Sequence, residues 1–167
     1  MPDRINPARF CFGCWPENAR GLGLKFRLEH GRAVAEFTPA GYLQGYPGFV
    51  HGGGVATMLD EAMGWAVYGR GTWAMTARLS MRFRRSVPLN KPLAVSGWVT
   101  RDRGRFLEVR AEARTRDGRL LAEADGMFVR VTGRQADELR RLYESALAPE
   151  ATGRQTETIT SLSEGRP

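Results

Sequence analysis

The sequence predicts an α+β fold in which an antiparallel sheet of about six strands wraps around one long central helix, followed by a short C-terminal helix. Several runs alternate apolar and polar residues as strands do, and one long stretch carries a wide apolar stripe at helical spacing. The order is two strands, the long helix, four strands and a final helix. A helix that is apolar on most faces must be surrounded, and an antiparallel sheet can cover it on one side.

The first two strands are predicted to form a hairpin. Apolar and polar residues alternate over 21–29, residues 30–32 form a tight turn, and residues 33–37 return. Residues 38–50 contain three glycines and two prolines, which is typical of a loop, but the loop is unusually apolar. It either packs on the core or forms the wall of a pocket.

The central helix begins at the glycines that follow His51 and is expected to stop near Gly69 or Gly71. Strand-like runs then occupy four segments, and a short amphipathic helix covers 135–148. The four runs are 72–87, 93–101, 105–116 and 119–131. The predicted organisation is a leader over 1–20, one domain over 21–132, a C-terminal helix over 133–148 and a disordered tail over 149–167.

Length and composition exclude several classes of protein. The chain has 167 residues, of which 42% are hydrophobic and 26% charged, and these values are ordinary for one globular domain. No apolar run approaches ~18 residues, so no membrane span is expected. The first residues lack the apolar segment of a secretory signal. We therefore expect a cytoplasmic protein without a membrane partner, in which Cys11 and Cys14 are reduced.

The positive charge is carried almost entirely by arginine. The chain has 25 Lys and Arg against 18 Asp and Glu, a net charge of +7, and Lys25 and Lys91 are its lysines. Arginine favours anionic partners such as phosphate groups. The arginines are scattered along the chain without a stripe or a known motif, so nucleic acid is not an expected partner.

The most informative segment lies where the central helix begins. His51 precedes three glycines, and the first turn of a helix has unpaired N–H groups and a partial positive charge. Glycine at Gly52 and Gly53 lets a ligand approach those groups, which suits an oxyanion or a polarised carbonyl. Asp60 then interrupts an apolar helix, where a carboxylate is costly unless it has partners or a task.

This segment, from His51-Gly52-Gly53 to Leu59-Asp60, resembles the helix of the hotdog-fold acyl-CoA thioesterases. The resemblance points to the branch that includes phenylacetyl-CoA and 4-hydroxybenzoyl-CoA thioesterases. The stretch from Met75-Thr76-Ala77 to Val87-Pro88 resembles the strand that follows in that family. The opening from Cys11 to Leu24 also resembles family members, so the similarity covers roughly residues 10–132.

The resemblance implies an enzyme that hydrolyses a small or medium, possibly aromatic, acyl-CoA to free acid and CoA. Asp60 would be the nucleophile or general base, and the Gly52 N–H would polarise the carbonyl. Thr76 would orient water or the carboxylate, and His51 would shape the turn. It also implies a homodimer or dimer of dimers, with sites across the interface. This chemistry requires neither a metal nor another cofactor.

Further residues are candidates for substrate binding. Gln44 would supply the amide that family members carry before the glycines, although it lies one residue before the expected position. Gly53 and Phe49 would line the site. Phosphate groups of CoA are expected to meet at least one arginine on the strand after Thr76. These arginines are Arg82, Arg84 and Arg85.

Several alternatives stay open at this stage. A hotdog dehydratase or hydratase acting on acyl thioesters would usually pair a histidine with an acidic residue, and a non-catalytic acyl-CoA binder would keep the fold alone. Glu61 lies about 100° around the helix from Asp60 and is expected to be ion-paired or at a dimer contact. Cys11 and Cys14 have zinc-like spacing, but no second cysteine pair exists, so no metal site is expected.

Overall fold

A six-stranded antiparallel sheet and one long helix make up the protein, as described by a computed structural model for residues 11–15 and 18–147. The strands occur in the sheet in the order β1-β2-β4-β5-β6-β3. This architecture confirms the predicted fold class. The elements are β1 (Arg27–Glu29), β2 (Arg32–Phe37), α1 (Gly52–Tyr68), β3 (Ala74–Phe83), β4 (Leu93–Arg103), β5 (Phe106–Thr115), β6 (Leu120–Arg130) and α2 (Gly133–Leu147).

The core lies between α1 and the sheet. The apolar residues of α1 at helical spacing are buried, and they pack against inward side chains of the strands such as Val95 and Leu107. The helix approaches β4 closely, because a Cβ atom built on Gly97 would lie 2.3 Å from the carbonyl oxygen of Ala62. The buried residues of α1 are Val55, Met58, Leu59, Ala62, Met63, Ala66 and Val67.

The N-terminal region differs from the prediction in two ways. The alternation begins near residue 21, but the strand begins only at Arg27, because Leu22 and Leu24 donate their N–H groups to the turn at 12–14 instead. That turn is not a loose leader, since Cys14 and Trp15 are buried. Residues 1–10, 16 and 17 and the predicted disordered tail, 149–167, lie outside the described residues.

Strand β3 forms one edge of the sheet, because it pairs with β6 on one side only. Its register shifts between Thr76 and Arg78, which is typical of a β-bulge. Two large apolar side chains at its ends, Met75 and Phe83, are 48% and 57% exposed. A long edge strand with exposed apolar residues is a surface suited to pairing with another strand.

Neither helix of the part of the chain that the structure describes is long and apolar enough to cross a membrane.

Candidate active site

The start of α1 presents an exposed N–H group. His51 caps the helix, and its Nδ1 accepts a hydrogen bond of 3.0 Å from the N–H of Gly53. The first intrahelical bond runs from the N–H of Val55 to the carbonyl of His51, at 3.2 Å. The N–H of Gly52 precedes that bond, and no described residue accepts from it. A carbonyl oxygen or oxyanion of a ligand can therefore bind there.

This capping arrangement gives the predicted residues different roles. His51 shapes the turn, because its Nδ1 accepts the hydrogen bond from the N–H of Gly53. The N–H of Gly53 is already used by His51, so it is not a free donor for substrate. Gln44 accepts a bond of 3.1 Å from the N–H of Gly48. Its side chain thus holds the loop before α1 in shape.

Asp60 and Thr76 meet two turns further along α1. The hydroxyl of Thr76 donates to Oδ1 of Asp60 at 2.8 Å, which joins the helix to the edge strand. Asp60 is half-buried, and the nearby helix residues Leu59 and Ala62 are buried. Its second oxygen has no recorded partner among the described residues, so the carboxylate is held in position and can still accept a proton.

Gly52 and Asp60 lie too far apart to act on one atom. Eight residues separate them on α1, and an α-helix rises 1.5 Å per residue, so their separation along the axis is about 12 Å. Phe83 lies beside Gly52, since a Cβ atom on Gly52 would be 3.6 Å from Cζ of Phe83. Strand β3 therefore runs from the Asp60 end of α1 to its Gly52 end.

A groove opens beside Gly52 with a volume of about 360 Å³. Phe49 and Tyr46 line it from the loop before α1, while Leu43 and Val50 of the same loop are buried. The loop therefore does both things that its apolar sequence allowed: it packs on the core and forms the wall of a groove. Phe83, Arg84 and Arg85 form the other wall.

The three candidate arginines differ in their surroundings. Arg84 donates through Nε and Nη2 to Oε1 of the buried Glu123, at 2.8 and 2.5 Å, so its charge is largely compensated. The guanidinium of Arg85 donates to the carbonyl of Leu120 at 2.9 Å, forms no ion pair with a described residue, and lines the groove. Arg82 is exposed and lies outside the groove. Arg85 thus keeps an accessible charge beside Gly52.

Glu123 is the buried acid that organises this end of the sheet. Arg110 donates to its second oxygen at 2.6 Å, so the two guanidinium groups of Arg84 and Arg110 share one carboxylate. Their hydrogen bonds, first that of Arg84 and then that of Arg110, hold the pKa of Glu123 below its ordinary value of 4.5. The sequence did not single out Glu123, because its partners come from other parts of the sheet and no local pattern links them to it.

Glu61 forms no ion pair with a described residue, so the ion-pair expectation is not met, and the dimer contact stays a prediction. Its carboxylate faces the thiol of Cys11, with Sγ at 3.6 Å from Oε1 and 3.8 Å from Oε2. Burial raises the pKa of Glu61 to about 7. The hydrogen bond from the Cys14 thiol lowers the pKa of Cys11 to about 5, and the same bond raises the pKa of Cys14.

A second cavity, of about 250 Å³, lies next to Glu61. Aromatic side chains line it, including Trp65, Trp73 and Tyr143. Trp65, Trp73 and Trp98 are each half-buried. Trp98 lies under the guanidinium of Arg32, at 3.9 Å from the ring centre.

Comparison with known proteins gives the class to which this fold belongs. Residues 47–122 match the family model described as the Thioesterase superfamily. A solved structure of a thioesterase superfamily protein is 34% identical with a TM-score of 0.70, and the match covers 72% of this chain and 63% of that one. Over these residues the chain is similar to Thioesterase superfamily proteins, and its fold is the hotdog fold, as the sequence resemblance implied.

Two further relatives bear on ligands. The acyl-coenzyme A thioesterase THEM4 of Bos taurus is 35% identical over 116 residues, which are 66% of this chain and 48% of that protein. This chain thus spans about half the length of the curated relatives it matches. A hypothetical thioesterase protein of Streptococcus pneumoniae, solved with coenzyme A, is 19% identical with a TM-score of 0.62, over 66% of this chain and 88% of that one.

Proposed function

We propose that this chain is an acyl-CoA thioesterase that hydrolyses a small or medium acyl-CoA, aliphatic or aromatic, to free acid and CoA. The observation that carries the proposal is the carboxylate of Asp60, held by Thr76 at 2.8 Å on a helix whose first N–H, at Gly52, is free. Relatives named acyl-coenzyme A thioesterase and a thioesterase structure with coenzyme A support the choice of substrate.

The proposed reaction uses Asp60 as the general base. Asp60 removes a proton from a water molecule that Thr76 helps to orient, and the water oxygen attacks the thioester carbon. The Gly52 N–H and the positive end of α1 stabilise the charge that develops on the carbonyl oxygen. The carbon–sulfur bond then breaks, and the CoA thiolate leaves and takes the proton. In the alternative course, Asp60 attacks directly and water hydrolyses the resulting anhydride.

A complete site requires two copies of the chain. Within one chain the Gly52 N–H lies about 12 Å along the helix from Asp60, whereas both must act within hydrogen-bond reach of one carbonyl group. A second copy can supply the missing group. We therefore infer a homodimer with two sites, each built from Asp60 of one subunit and Gly52 of the other, and a dimer of dimers is a possible larger assembly.

Edge strand β3 can create this arrangement. Thr76 bonds Asp60, and Phe83 lies beside Gly52, so the two halves of a site lie at opposite ends of β3. If two β3 strands pair antiparallel about a two-fold axis between Leu79 and Ser80, Thr76 lies opposite Phe83 of the partner subunit. The partner's Gly52 then approaches Asp60. The pairing also covers the exposed side chains of Met75 and Phe83.

The groove beside Gly52 is the proposed path for the CoA moiety. Arg85 offers an accessible guanidinium there, and guanidinium groups pair well with phosphate oxygens. Arg84 also lines the groove, but Glu123 compensates its charge, so we assign it a positioning role. Phe49 and Tyr46 supply apolar surface on the opposite wall.

The aromatic cavity is the proposed location of the acyl group. Gly64 and Met75 line it, and they lie one helical turn from Asp60 and next to Thr76. The cavity therefore opens close to the reacting carbon. Its volume of about 250 Å³ and its indole and phenol walls favour a compact or aromatic acyl group.

A substrate panel with Asp60→Asn tests the proposal. The wild-type chain is expected to release CoA from short and aromatic acyl-CoAs. The reaction is measured by the loss of thioester absorbance, because thiol reagents would also react with Cys11. Asp60→Asn should lower kcat by about 10²–10⁴-fold with the fold retained, because the amide cannot accept the proton. Thr76→Ser should keep most activity and Thr76→Ala less, because only serine keeps the hydroxyl.

The rival functions predict other results. Reversible hydration of an enoyl-CoA without release of thiol would identify a hydratase, although His51 is engaged in the helix cap. Binding of acyl-CoA with no turnover at all would identify a non-catalytic binder. Full turnover by Asp60→Asn would refute the role of Asp60. Cytoplasmic location stays a prediction.

A further inference from the structure

A second cluster of reactive side chains lies one residue further along α1, at Glu61. The sulfur atoms of Cys11 and Cys14 and a carboxylate oxygen of Glu61 all lie within 4.8 Å of one another. We propose that these three side chains bind one Zn²⁺ ion. The site goes beyond the proposed hydrolysis, which gives none of the three residues a chemical role, although Cys14 and Glu61 also line the aromatic cavity.

The spacing of the atoms matches tetrahedral zinc. Bonds of about 2.3 Å to sulfur and 2.0 Å to oxygen hold a sulfur and an oxygen ligand about 3.5 Å apart. Sγ of Cys11 lies 3.6 Å from Oε1 of Glu61. The two cysteines have the C-x-x-C spacing of zinc ligands and lie on one turn of backbone.

The turn is built around the carboxylate. A Cβ atom at Gly13 would lie 2.3 Å from Oε2 of Glu61 and 2.5 Å from its Cδ, so glycine leaves the carboxylate room to pack against this turn in its present position. The carbonyl of Phe12 accepts a bond of 2.8 Å from Leu22, and that of Gly13 accepts one of 2.9 Å from Leu24. The backbone that carries the ligands is therefore fixed independently of the ion.

Within residues 11–15 and 18–147, no cationic side chain pairs with the cluster. The recorded hydrogen bonds of Glu61 are to thiols, and no described arginine or lysine forms an ion pair with it. A half-buried carboxylate without a cationic partner is costly, and a bound ion would compensate its charge.

The ligand types decide between metals. Two sulfur ligands and one oxygen favour zinc over magnesium or calcium, which prefer oxygen alone. On binding, each thiol releases its proton to solvent and bonds the ion as a thiolate. Three protein ligands leave a fourth position for water.

The sequence did not predict this site because it offers only one cysteine pair. Glu61 is about fifty residues from Cys11 and joins the pair only when α1 packs beside the N-terminal turn. The ion would tie residues 11–14 to α1, directly after the proposed catalytic Asp60. We therefore expect it to add to the backbone hydrogen bonds that already hold this turn, by linking the turn directly to α1.

Metal titration of the full chain tests the site. The reduced chain, freed of metal by a chelator, is titrated with Co²⁺ alone and then with Zn²⁺ alone. We expect thiolate-to-cobalt charge-transfer absorption that saturates at one ion per chain, disappears when Zn²⁺ displaces the cobalt, and is accompanied by a higher Tm with Zn²⁺.

Matched variants locate the ligands. Cys11→Ser should lose the absorption and the Tm shift, and Glu61→Gln should weaken Zn²⁺ binding by about tenfold or more. The exposed Glu138→Gln should bind like the wild type. Cys11 and Glu61 are only partly buried, and circular dichroism checks that their variants fold, whereas Cys14 is buried and its replacement is less informative.

Two outcomes would overturn the proposal. One is a reduced chain whose two thiols react fully but that gives no cobalt absorption. The other is unchanged one-to-one binding in a folded Glu61→Gln or Cys11→Ser variant. Formation of a Cys11–Cys14 disulfide with glutathione disulfide, without metal binding by the reduced chain, would identify a redox pair instead. These measurements do not use thioester hydrolysis, so they fail or succeed independently of the proposed function.

Discussion

At the scale of single residues, neighbouring carboxylates on α1 have different chemistry because they face different surroundings. Asp60 reaches the edge strand, where the hydroxyl of Thr76 holds it and leaves an oxygen free. Glu61 lies about 100° further around the helix and faces two thiols in a partly buried position. Two consecutive residues of α1 thus face different sides of the helix, one as the proposed catalytic base and the other as a proposed metal ligand.

Arg85 is expected to bind CoA phosphate through its accessible guanidinium. Arg85→Ala should raise KM for an acyl-CoA by roughly tenfold, since a charge-assisted hydrogen bond contributes about 1.5–3 kcal/mol. It should change KM little for the same acyl group on N-acetylcysteamine, which lacks the nucleotide. Steady-state kinetics on both substrates measure the difference, with the exposed Arg116→Ala as control. Equal losses on both substrates would contradict phosphate binding.

Glu123 is expected to stabilise the fold in a pH-dependent way. Its pKa is below 4.5 in the folded state, so its stabilising effect is present above 4.5 and is lost as the pH falls through the folded value. Glu123→Gln should therefore lower Tm at pH 7, and the gap from the wild type should shrink in acid. Thermal unfolding measured from pH 7 down into acid gives the difference in Tm between the two proteins at each pH. A gap that is constant with pH, like that of Glu138→Gln, would argue against the ion pairs as its cause.

At the scale of elements, the close packing of α1 on β4 depends on Gly97. A Cβ atom there would meet backbone atoms, at 2.3 Å from the oxygen of Ala62 and 2.9 Å from the nitrogen of Met63. Backbone cannot move aside as a flexible side chain can. Gly97→Ala should therefore cost about 1–3 kcal/mol or more of the free energy of unfolding, through strain in the core.

Denaturant unfolding at a fixed protein concentration measures this cost. Gly41→Ala is the matched control, because a Cβ at Gly41 meets no atom within 4 Å. Gly41→Ala should change stability by no more than about 0.5 kcal/mol. Equal stability of Gly97→Ala and Gly41→Ala would mean that the helix shifts freely on the sheet.

At the scale of the whole molecule, the proposed dimer makes a prediction that no monomer can satisfy. Gly52→Pro should fold, because proline suits the first helical residue and His51 already has the extended conformation, with φ −59° and ψ 140°, that precedes proline. It removes the N–H that would bind the carbonyl. Gly52→Pro and Asp60→Asn should each be inactive alone.

Mixed dimers of the two variants should regain activity. After unfolding and refolding together, half of the dimers contain one chain of each kind, and one of their two sites has an intact Asp60 and an intact Gly52. About a quarter of the wild-type activity should return. Separate refolding of each variant is the control, and sedimentation confirms dimers. No recovery in mixed dimers would place the whole site within one chain.

The sequence was a good guide to local structure. The helix at 52–68 was predicted because its apolar residues recur at helical spacing and glycines bound it, and each later strand was found within a few residues of its position. The extent of the first strand was wrong, since alternation indicates that Leu22 and Leu24 are buried but not which backbone accepts their N–H groups.

The fold class, the thioesterase resemblance and the candidate pair of Gly52 and Asp60 could be predicted before folding was considered, because periodicity and a local motif are properties of the chain. The folded chain was needed to show that Thr76 holds Asp60, that Glu123 binds Arg84, and that Glu61 lies beside Cys11 and Cys14. These are contacts between residues far apart in the chain, and they exist only when helix, sheet and N-terminal turn pack together.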